Sequence, residues 1–222
     1  MNKEAKIGMI VLMLMIILIG SLLVLNKKEK KVEDITSYWG KAYYKYLEDN
    51  IKVENQGTKI KEYNLNFYEI QGEEYPIMVI DYEFKEKTYS NIYYISGDEI
   101  RFIDAQDPST VELLYNKEKK KYEYYTNMIA ASGGNYYEDV KTQLINSSKD
   151  VDDPNRVTSQ GYYFLESNSS LPKFDDVFQK VDVKTDVVTI KSDSSELELQ
   201  KAVVKKIKGY KKVNDIVNEK KD

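Results

Sequence analysis

The stretch "IMVIDYEFKEKTYSNIYYISGDEIRFI", residues 77–103, decides the class of fold that this sequence predicts. Its two longer runs, residues 77–84 and 89–95, are rich in β-branched and aromatic residues and are separated by the polar "KEK". A third run, residues 99–103, follows the turn-forming "SGD". Short polar interruptions between such runs predict antiparallel hairpins.

An alternation of apolar and polar residues, with a period of two, extends beyond this stretch, from Lys59 to about Met128. Tyr63, Leu65 and Phe67 alternate with polar neighbours, and further strands are predicted at residues 111–115 and 122–125. Sequential hairpins bury one face and leave the other in water, which explains the Lys and Glu between the apolar positions. The sequence therefore predicts one antiparallel meander sheet.

Helices are predicted on both sides of these strands. Asp34 or Thr36 can cap an amphipathic helix whose apolar stripe recurs every three or four residues. The stripe consists of Ile35, Trp39, Ala42, Tyr43, Tyr46 and Leu47. A second helix is predicted over residues 135–145, with Tyr136, Val140 and Leu144 on one side. Ser194 or Ser195 can cap a third, ending near Ile207, with Leu197, Val203 and Ile207 facing inward.

The remaining C-terminal segments give weaker signals. "GYYFL", residues 161–165, predicts a returning strand, and residues 174–190 are ambiguous, although "VDVKTDVVTI" resembles a strand. Residues 211–222 form a charged tail with room for a last amphipathic turn. The predicted class is α+β: a transmembrane helix, an aromatic helix, an antiparallel meander sheet and C-terminal helices.

Residues 7–25, "IGMIVLMLMIILIGSLLVL", contain no charged side chain. At about 1.5 Å per residue this run spans roughly 28 Å as a helix, close to the hydrocarbon thickness of a bilayer. It is longer than the apolar part of a cleavable signal peptide, and it lacks a small-x-small cleavage site. No Cys follows it, which excludes lipoprotein processing. We therefore expect an uncleaved signal anchor.

The charges beside this span leave two orientations open. Residues 26–33, a charged linker, carry four Lys, so the positive-inside count leans toward a cytoplasmic C-terminal domain. Long domains nevertheless translocate largely regardless of charge, and a short charged tail before a span is the usual layout of a signal anchor. We favour a cytoplasmic tail at residues 1–6 and an exported domain at residues 34–210, attached to the cell membrane as a single-pass protein.

The composition excludes several kinds of chemistry. The 222 residues contain no His and no Cys, which removes thiol nucleophiles, disulfides, imidazole bases and the usual zinc ligand sets. The formal net charge is −4 with both signs interspersed, so no face for nucleic acid is predicted. We expect no cofactor.

Four local motifs in the sequence partly match known kinds of site. Glu69, Gln71 and Glu73 occupy the first ligand positions of a calcium-type loop, but Glu74 and Ile77 stand where its glycine and closing acid belong. These three are therefore weak metal candidates in what we interpret as a structural turn.

Residues 150–155 also space acids as a calcium loop does and lack the same two features. Ser170 and Lys173 match S-x-x-K, but Pro172 argues against the required helical turn. Glu196 and Glu198 face apart on a helix and make no carboxylate pair.

Three segments together carry a family resemblance: "SYWGKAYYKYLEDN", "LNFYEIQGEEYPIMVIDYEF" and "NIYYISGDEIRFIDA". Over residues 36–105 their layout resembles exported, membrane-anchored or lipoprotein domains of low-GC Gram-positive bacteria. In that group a helix is followed by a strand, a D-x-D-x-D-G-like loop and hairpins. The resemblance implies an extracytoplasmic domain whose loop has lost the turn glycine and the closing acid of a metal-binding loop.

Two classes of function follow, with a third beside them. The first is a non-catalytic binding module at the cell envelope that contacts an envelope protein or polymer. The second is a hydrolase that uses carboxylates alone, placed about 5–9.5 Å apart. Its candidate acids are Glu73, Asp81, Glu83 and Asp104. The third is an assembly subunit with an NTF2-like domain, as in secretion or conjugation machinery. The binding module is our prediction, with oligomeric state open.

Overall fold

The computed structural model describes residues 35–50, 54–55, 57–103, 107–130, 133–147, 149, 156–157, 161–165, 170–183 and 186–219. The predicted tail, signal anchor and linker, residues 1–33, lie outside these ranges. Within them, no helix has the length and apolar character needed to cross a membrane. The described chain is α+β, with helices and two five-stranded antiparallel sheets.

The first sheet has the order β12-β3-β4-β5-β6. Its strands are β3 (Glu62–Tyr68), β4 (Ile77–Phe84), β5 (Lys87–Ser96), β6 (Glu99–Ile103) and β12 (Thr189–Lys191). A small hairpin, β1 (Glu54–Asn55) and β2 (Thr58–Lys59), precedes it. The β4–β5 turn places Lys85 and Glu86 at φ 49° and 62°, the backbone that a tight hairpin requires. The three predicted runs of residues 77–103 are thus confirmed as strands.

The second sheet has the order β10-β9-β8-β7-β11. Its strands are β7 (Ser109–Asn116), β8 (Lys121–Ile129), β9 (Asn135–Asp139), β10 (Tyr162–Phe164) and β11 (Phe178–Lys180). The prediction of one meander sheet was wrong, because β7, β8, β9, β10 and β11 pair with each other in a second sheet and β7 does not pair with β6. The described part of the ambiguous segment, residues 174–190, begins with a short helix and supplies one edge strand to each sheet: β11 to the second and β12 to the first.

Five described helices surround the sheets: α1 (Tyr38–Asn50), α2 (Val140–Ser147), α3 (Phe174–Val177), α4 (Glu196–Lys208) and α5 (Val213–Asn218). The helix predicted over residues 135–145 was wrong in its first half, where Tyr137 and Asp139 belong to β9 and pair with β8. The helical spacing of Tyr136, Val140 and Leu144 misled the prediction, since only the last two lie in α2.

The caps of α1 and α4 differ in how well the sequence predicted them. Ser37 caps α1, with its Oγ accepting from the Gly40 N–H at 3.3 Å, in place of the predicted Thr36. The alternative cap, Asp34, lies outside the described residues. For α4 the prediction of Ser195 is confirmed: its side chain accepts from the Glu198 N–H and the Glu198 carboxylate returns to the Ser195 N–H. Glu198 therefore serves as a capping residue.

Three hydrophobic clusters hold the elements together. The first lies between the first sheet and the helices α1 and α4, and contains Tyr43, Leu47, Leu199 and Val203. Leu199 takes the inward position that was predicted for Leu197, which is 39% exposed. The second cluster joins both sheets to α2 and α5. Val213 and Ile216 of α5 are buried in it, so the predicted charged tail carries a packed helix and the fold extends past residue 210.

The third cluster covers the outer face of the second sheet and is built around aromatic rings. Phe178 is fully buried at its centre. Its ring centroid lies 4.8–5.9 Å from the rings of Tyr125, Tyr137, Tyr162, Phe164 and Phe174. Tyrosine thus supplies much of the core, as the composition of the chain requires.

Candidate functional site

The turn after β3 separates the three residues proposed as metal ligands. The Glu69 carboxylate accepts from the Val213 N–H at 2.7 Å, at the first residue of α5. The backbone carbonyl of Gln71 accepts from Lys141 Nζ at 2.6 Å. Glu73 is exposed and lines a different surface. Among the described residues, no group of three or more His, Cys, Asp or Glu is arranged to hold a metal ion.

Gly72 explains why this turn contains a glycine although it is not a calcium loop. Its φ is +89°, in the region that favours glycine. A Cβ atom at this position would lie 2.6 Å from Lys141 Nζ, the donor to Gln71. The glycine therefore permits both the turn and the lysine contact that fixes it.

The same turn forms one wall of a cleft of about 340 Å³, which we name the acid–tyrosine cleft. Its other walls are the first residue of α1, the β5–β6 turn and α2. The lining residues are Tyr38, Glu73, Glu74, Tyr75, Ile77, Tyr94, Ile95, Gly97, Asp98 and Leu144. The volume falls within the range of small-molecule sites.

Aromatic and apolar groups form the interior of the cleft. The rings of Tyr38 and Tyr75 lie 5.4 Å apart and are inclined at 44°. Tyr38 is 54% exposed, so much of its side chain is accessible to solvent. Tyr94 is buried and its hydroxyl lies 2.6 Å from Ser147 Oγ, which fixes the back of the cleft.

The rim of the cleft is acidic. Glu73, Glu74 and Asp98 are exposed, and in the described part of the chain no ion pair links any of them to a Lys or Arg. The cleft lining, as far as the structure describes it, contains no basic side chain. A hydrogen bond with Glu74 raises the pKa of Tyr75, with lesser effects from desolvation and from the Glu74 charge. The cleft therefore presents unneutralised negative charge beside two aromatic rings.

A second acidic cluster lies at the end of the β7–β8 hairpin. Lys119 Nζ lies 3.3 Å from a Glu123 oxygen and 4.0 Å from an Asp139 oxygen. Burial, and then the Glu123 charge, raise the pKa of Asp139. Burial also acts to raise the pKa of Glu123, but bonds from Lys121 and Tyr125 and the Lys119 charge outweigh it and lower that pKa. Such divergence is found in acid–base pairs of enzymes.

The partners of this pair nevertheless indicate a structural role. Asp139 caps α2, since its oxygens accept from the Lys141 N–H at 3.0 Å and the Thr142 hydroxyl at 3.1 Å. The Glu123 carboxylate accepts from the Tyr125 hydroxyl at 2.9 Å. The adjoining cavity holds only about 120 Å³, which is below the size of typical ligand sites. Neither acid is placed against a space that would admit a sugar.

A third polar cluster contains Asp81, one of the acids proposed for a hydrolase. Its oxygens accept from Ser90 Oγ at 2.5 Å and Asn66 Nδ2 at 2.8 Å, and Asn66 Oδ1 accepts from Lys206 Nζ at 2.8 Å. Lys206 also donates to the Asp186 carbonyl. Burial raises the pKa of Asp81, and burial lowers the pKa of Lys206. This network links α4 to β3, β4 and β5, and each of its members is already bonded.

Of the remaining sequence candidates, Glu83 is exposed near the end of β4 and lines, together with Asp81, an open cleft of about 710 Å³. Asp104 and residues 150–155 lie outside the described ranges. Ser170 lies in a turn, and Lys173 is the N-cap of α3, so the two do not share a helical turn. Glu196 accepts from the Tyr44 hydroxyl at 3.5 Å, apart from the capping role of Glu198.

Glu73, predicted as a weak metal ligand and as a hydrolase candidate, lies in the acid–tyrosine cleft, whereas Tyr38, Tyr75 and Asp98 were not predicted as site residues. Tyr38 lies outside the predicted apolar stripe of the first helix, and Asp98 appears only in the predicted turn "SGD". The shared signal was the position of each beside a predicted break between elements, where loops carry binding residues. Comparison with known proteins adds no further guide: no family model matches the chain, and no curated protein or solved structure shows significant similarity.

Proposed function

We propose that this chain is a non-catalytic binding module of the cell envelope, exported and anchored in the membrane by residues 7–25. The acid–tyrosine cleft is its ligand site. Support for the anchor comes from the uncharged apolar run in the sequence, and support for binding comes from the cleft.

The observation that carries this proposal is the contrast between the cleft and the two other acidic clusters. The carboxylates of Glu123, Asp139 and Asp81 are occupied by caps, lysines and hydroxyl donors within the fold. Those of Glu73 and Asp98 face solvent without a described basic partner. Exposed charge and aromatic area that the fold does not use are typical of a contact surface.

The carboxylate-only hydrolase has less support in the same contacts. A general acid must reach its substrate, and the acids whose pKa values diverge border a cavity too small for one.

The experiment has two parts. An epitope placed after Asp222 is tested for digestion by protease in intact cells, and we expect it to be cleaved. Purified full-length protein in a non-ionic detergent is then sedimented with isolated cell envelopes. We expect the wild type to co-sediment and the Glu73→Gln/Glu74→Gln variant to remain largely in solution. A protected epitope would overturn the exported orientation, and equal sedimentation of both proteins would overturn the role of the cleft.

A further inference from the structure

We propose that the acid–tyrosine cleft recognises an alkylammonium group, with the ammonium at the acidic rim and its carbon chain on the apolar floor. This inference rests on the proposed function, since it names the ligand class of the same site. It is drawn from three properties of the cleft: its charge, its rings and its floor.

The first property is negative charge that lacks an internal counterion. Glu73, Glu74 and Asp98 contribute three carboxylates at one rim, and the described lining contains no Lys or Arg. A ligand that enters here must carry positive charge, because an anion would meet like charges without a basic partner.

The second property is the ring pair of Tyr38 and Tyr75. With centroids 5.4 Å apart and planes inclined at 44°, the rings form a shallow V. Rings this close pack against each other, so we place the cation over the solvent-exposed face of Tyr38, within about 6 Å of its centroid, the range of cation–π attraction. Tyr38 is more than half exposed, so its face is accessible from solvent.

The third property distinguishes an organic cation from a metal ion. Ile77, Ile95 and Leu144 give the cleft an apolar floor that a metal ion would not use. The described acids also do not meet in a group that could coordinate a metal. A chain of methylene groups that ends in an ammonium, as in a lysine side chain, matches all three parts of the cleft: the methylene groups fit the apolar floor, and the ammonium fits the rings and the acids.

The test uses the full-length protein in dodecyl maltoside and three small probes. They are Nα-acetyl-lysine methylamide, its Nε-trimethyl analogue and its uncharged Nε-acetyl analogue. Binding is measured by saturation-transfer-difference NMR titration. We expect both cationic probes to bind and the uncharged probe to bind at least about tenfold more weakly, since it loses both the ion pairing and the cation–π attraction. If the primary ammonium binds more tightly than the trimethylammonium, N–H hydrogen bonds contribute to recognition. If the two bind equally, charge and contacts with the rings account for it.

Variants locate the site. Glu73→Gln/Glu74→Gln should weaken the cationic probes about fivefold to tenfold, and Tyr38→Leu should weaken them by a similar factor, while Tyr38→Phe keeps the ring and the affinity. The matched control is Asp182→Asn/Asp193→Asn, which removes two exposed acids outside the cleft and should change affinity less than twofold. Circular dichroism melting verifies that each variant is folded.

Three results would overturn the proposal: no saturable binding of either cationic probe, equal binding of the uncharged probe, or unchanged affinity in the Glu73→Gln/Glu74→Gln variant. Failure of this ligand proposal can be distinguished from failure of the proposed function. If the probes fail but co-sedimentation with envelopes still depends on Glu73 and Glu74, the cleft is a binding site for another class of ligand. If both fail, the cleft is not the binding site.

Discussion

The hydroxyl of Tyr43 offers a quantitative test of how α1 is held on the first sheet. Tyr43 is fully buried, and its hydroxyl lies 2.8 Å from the Pro76 carbonyl and 3.2 Å from the Tyr93 carbonyl. One donor therefore serves the backbone just before β4 and the backbone of β5. Burial raises the pKa of Tyr43, so the hydroxyl keeps its proton and its role as donor across the working pH range.

Tyr43→Phe preserves the ring and removes only this donor. A buried acceptor that loses its partner costs about 1–3 kcal/mol, and the sharing of one proton between two carbonyls places the expected loss near 1.5 kcal/mol. For a domain of this size, about 1 kcal/mol shifts the melting temperature by roughly 2–4 °C, so we expect a fall of about 3–6 °C.

The matched control is Tyr44→Phe, whose hydroxyl contacts Glu48 and Glu196 at the surface and should contribute less than about 0.5 kcal/mol. Unfolding is followed through Trp39, the single tryptophan, whose ring packs against Phe67 and Tyr210. A Tyr43→Phe protein that melts within about 1 °C of the wild type, as the control should, would refute the reasoning.

Three further perturbations test other parts of the structure. Phe178→Ala empties the centre of the third cluster and should cost about 3–5 kcal/mol in urea unfolding, whereas the exposed Phe102→Ala should cost less than about 1 kcal/mol; similar losses would contradict the assigned core. Asp139→Asn keeps a capping side chain but removes a carboxyl whose pKa is raised on folding, chiefly by burial. In the wild type, the folded state binds a proton at the Asp139 carboxyl more readily than the unfolded chain does. The wild type should therefore gain stability relative to the variant as pH falls from neutral toward 3.8, and a stability difference that stays constant or shrinks would count against the raised pKa. Glu69→Ala removes the acceptor of the Val213 N–H; it should speed amide hydrogen exchange in α5 and lower the free energy of unfolding by about 0.5–2 kcal/mol. Millimolar calcium should leave the melting temperature of the wild type unchanged. A rise of several degrees with calcium would support the metal-loop interpretation instead.

Local pattern was enough to predict the elements whose partners are close in sequence. Residues 77–103 form hairpins joined by short turns, and their period of two and turn residues specify both the strands and their pairing. Ser195 and Glu198 are three residues apart, so the capping box was visible in the sequence. In these cases the sequence signal and the physical interaction occupy the same short window.

Pairing between distant residues overrode local pattern elsewhere. Residues 135–139 carry helical spacing but form β9, because β8 offers a full set of backbone partners opposite them. The division into two sheets had no local signal, since it depends on β7 choosing β8 and β11 in place of β6. The acid–tyrosine cleft was hidden for the same reason, because Tyr38, Glu73 and Asp98 meet only after the chain has folded.

The placement of β11 and β12 has a consequence for the order of events during synthesis. These strands, from residues 178–191, complete one edge of each sheet, and α5 receives its cap from Glu69 across 144 residues of chain. Lys206 reaches Asn66 across a similar separation of 140 residues. Contacts this distant fold slowly, because loop closure must precede them. A chain leaving the ribosome therefore holds two sheets that each lack one edge strand until residues 178–191 have emerged, and until then β3 and β7 are exposed to mispairing.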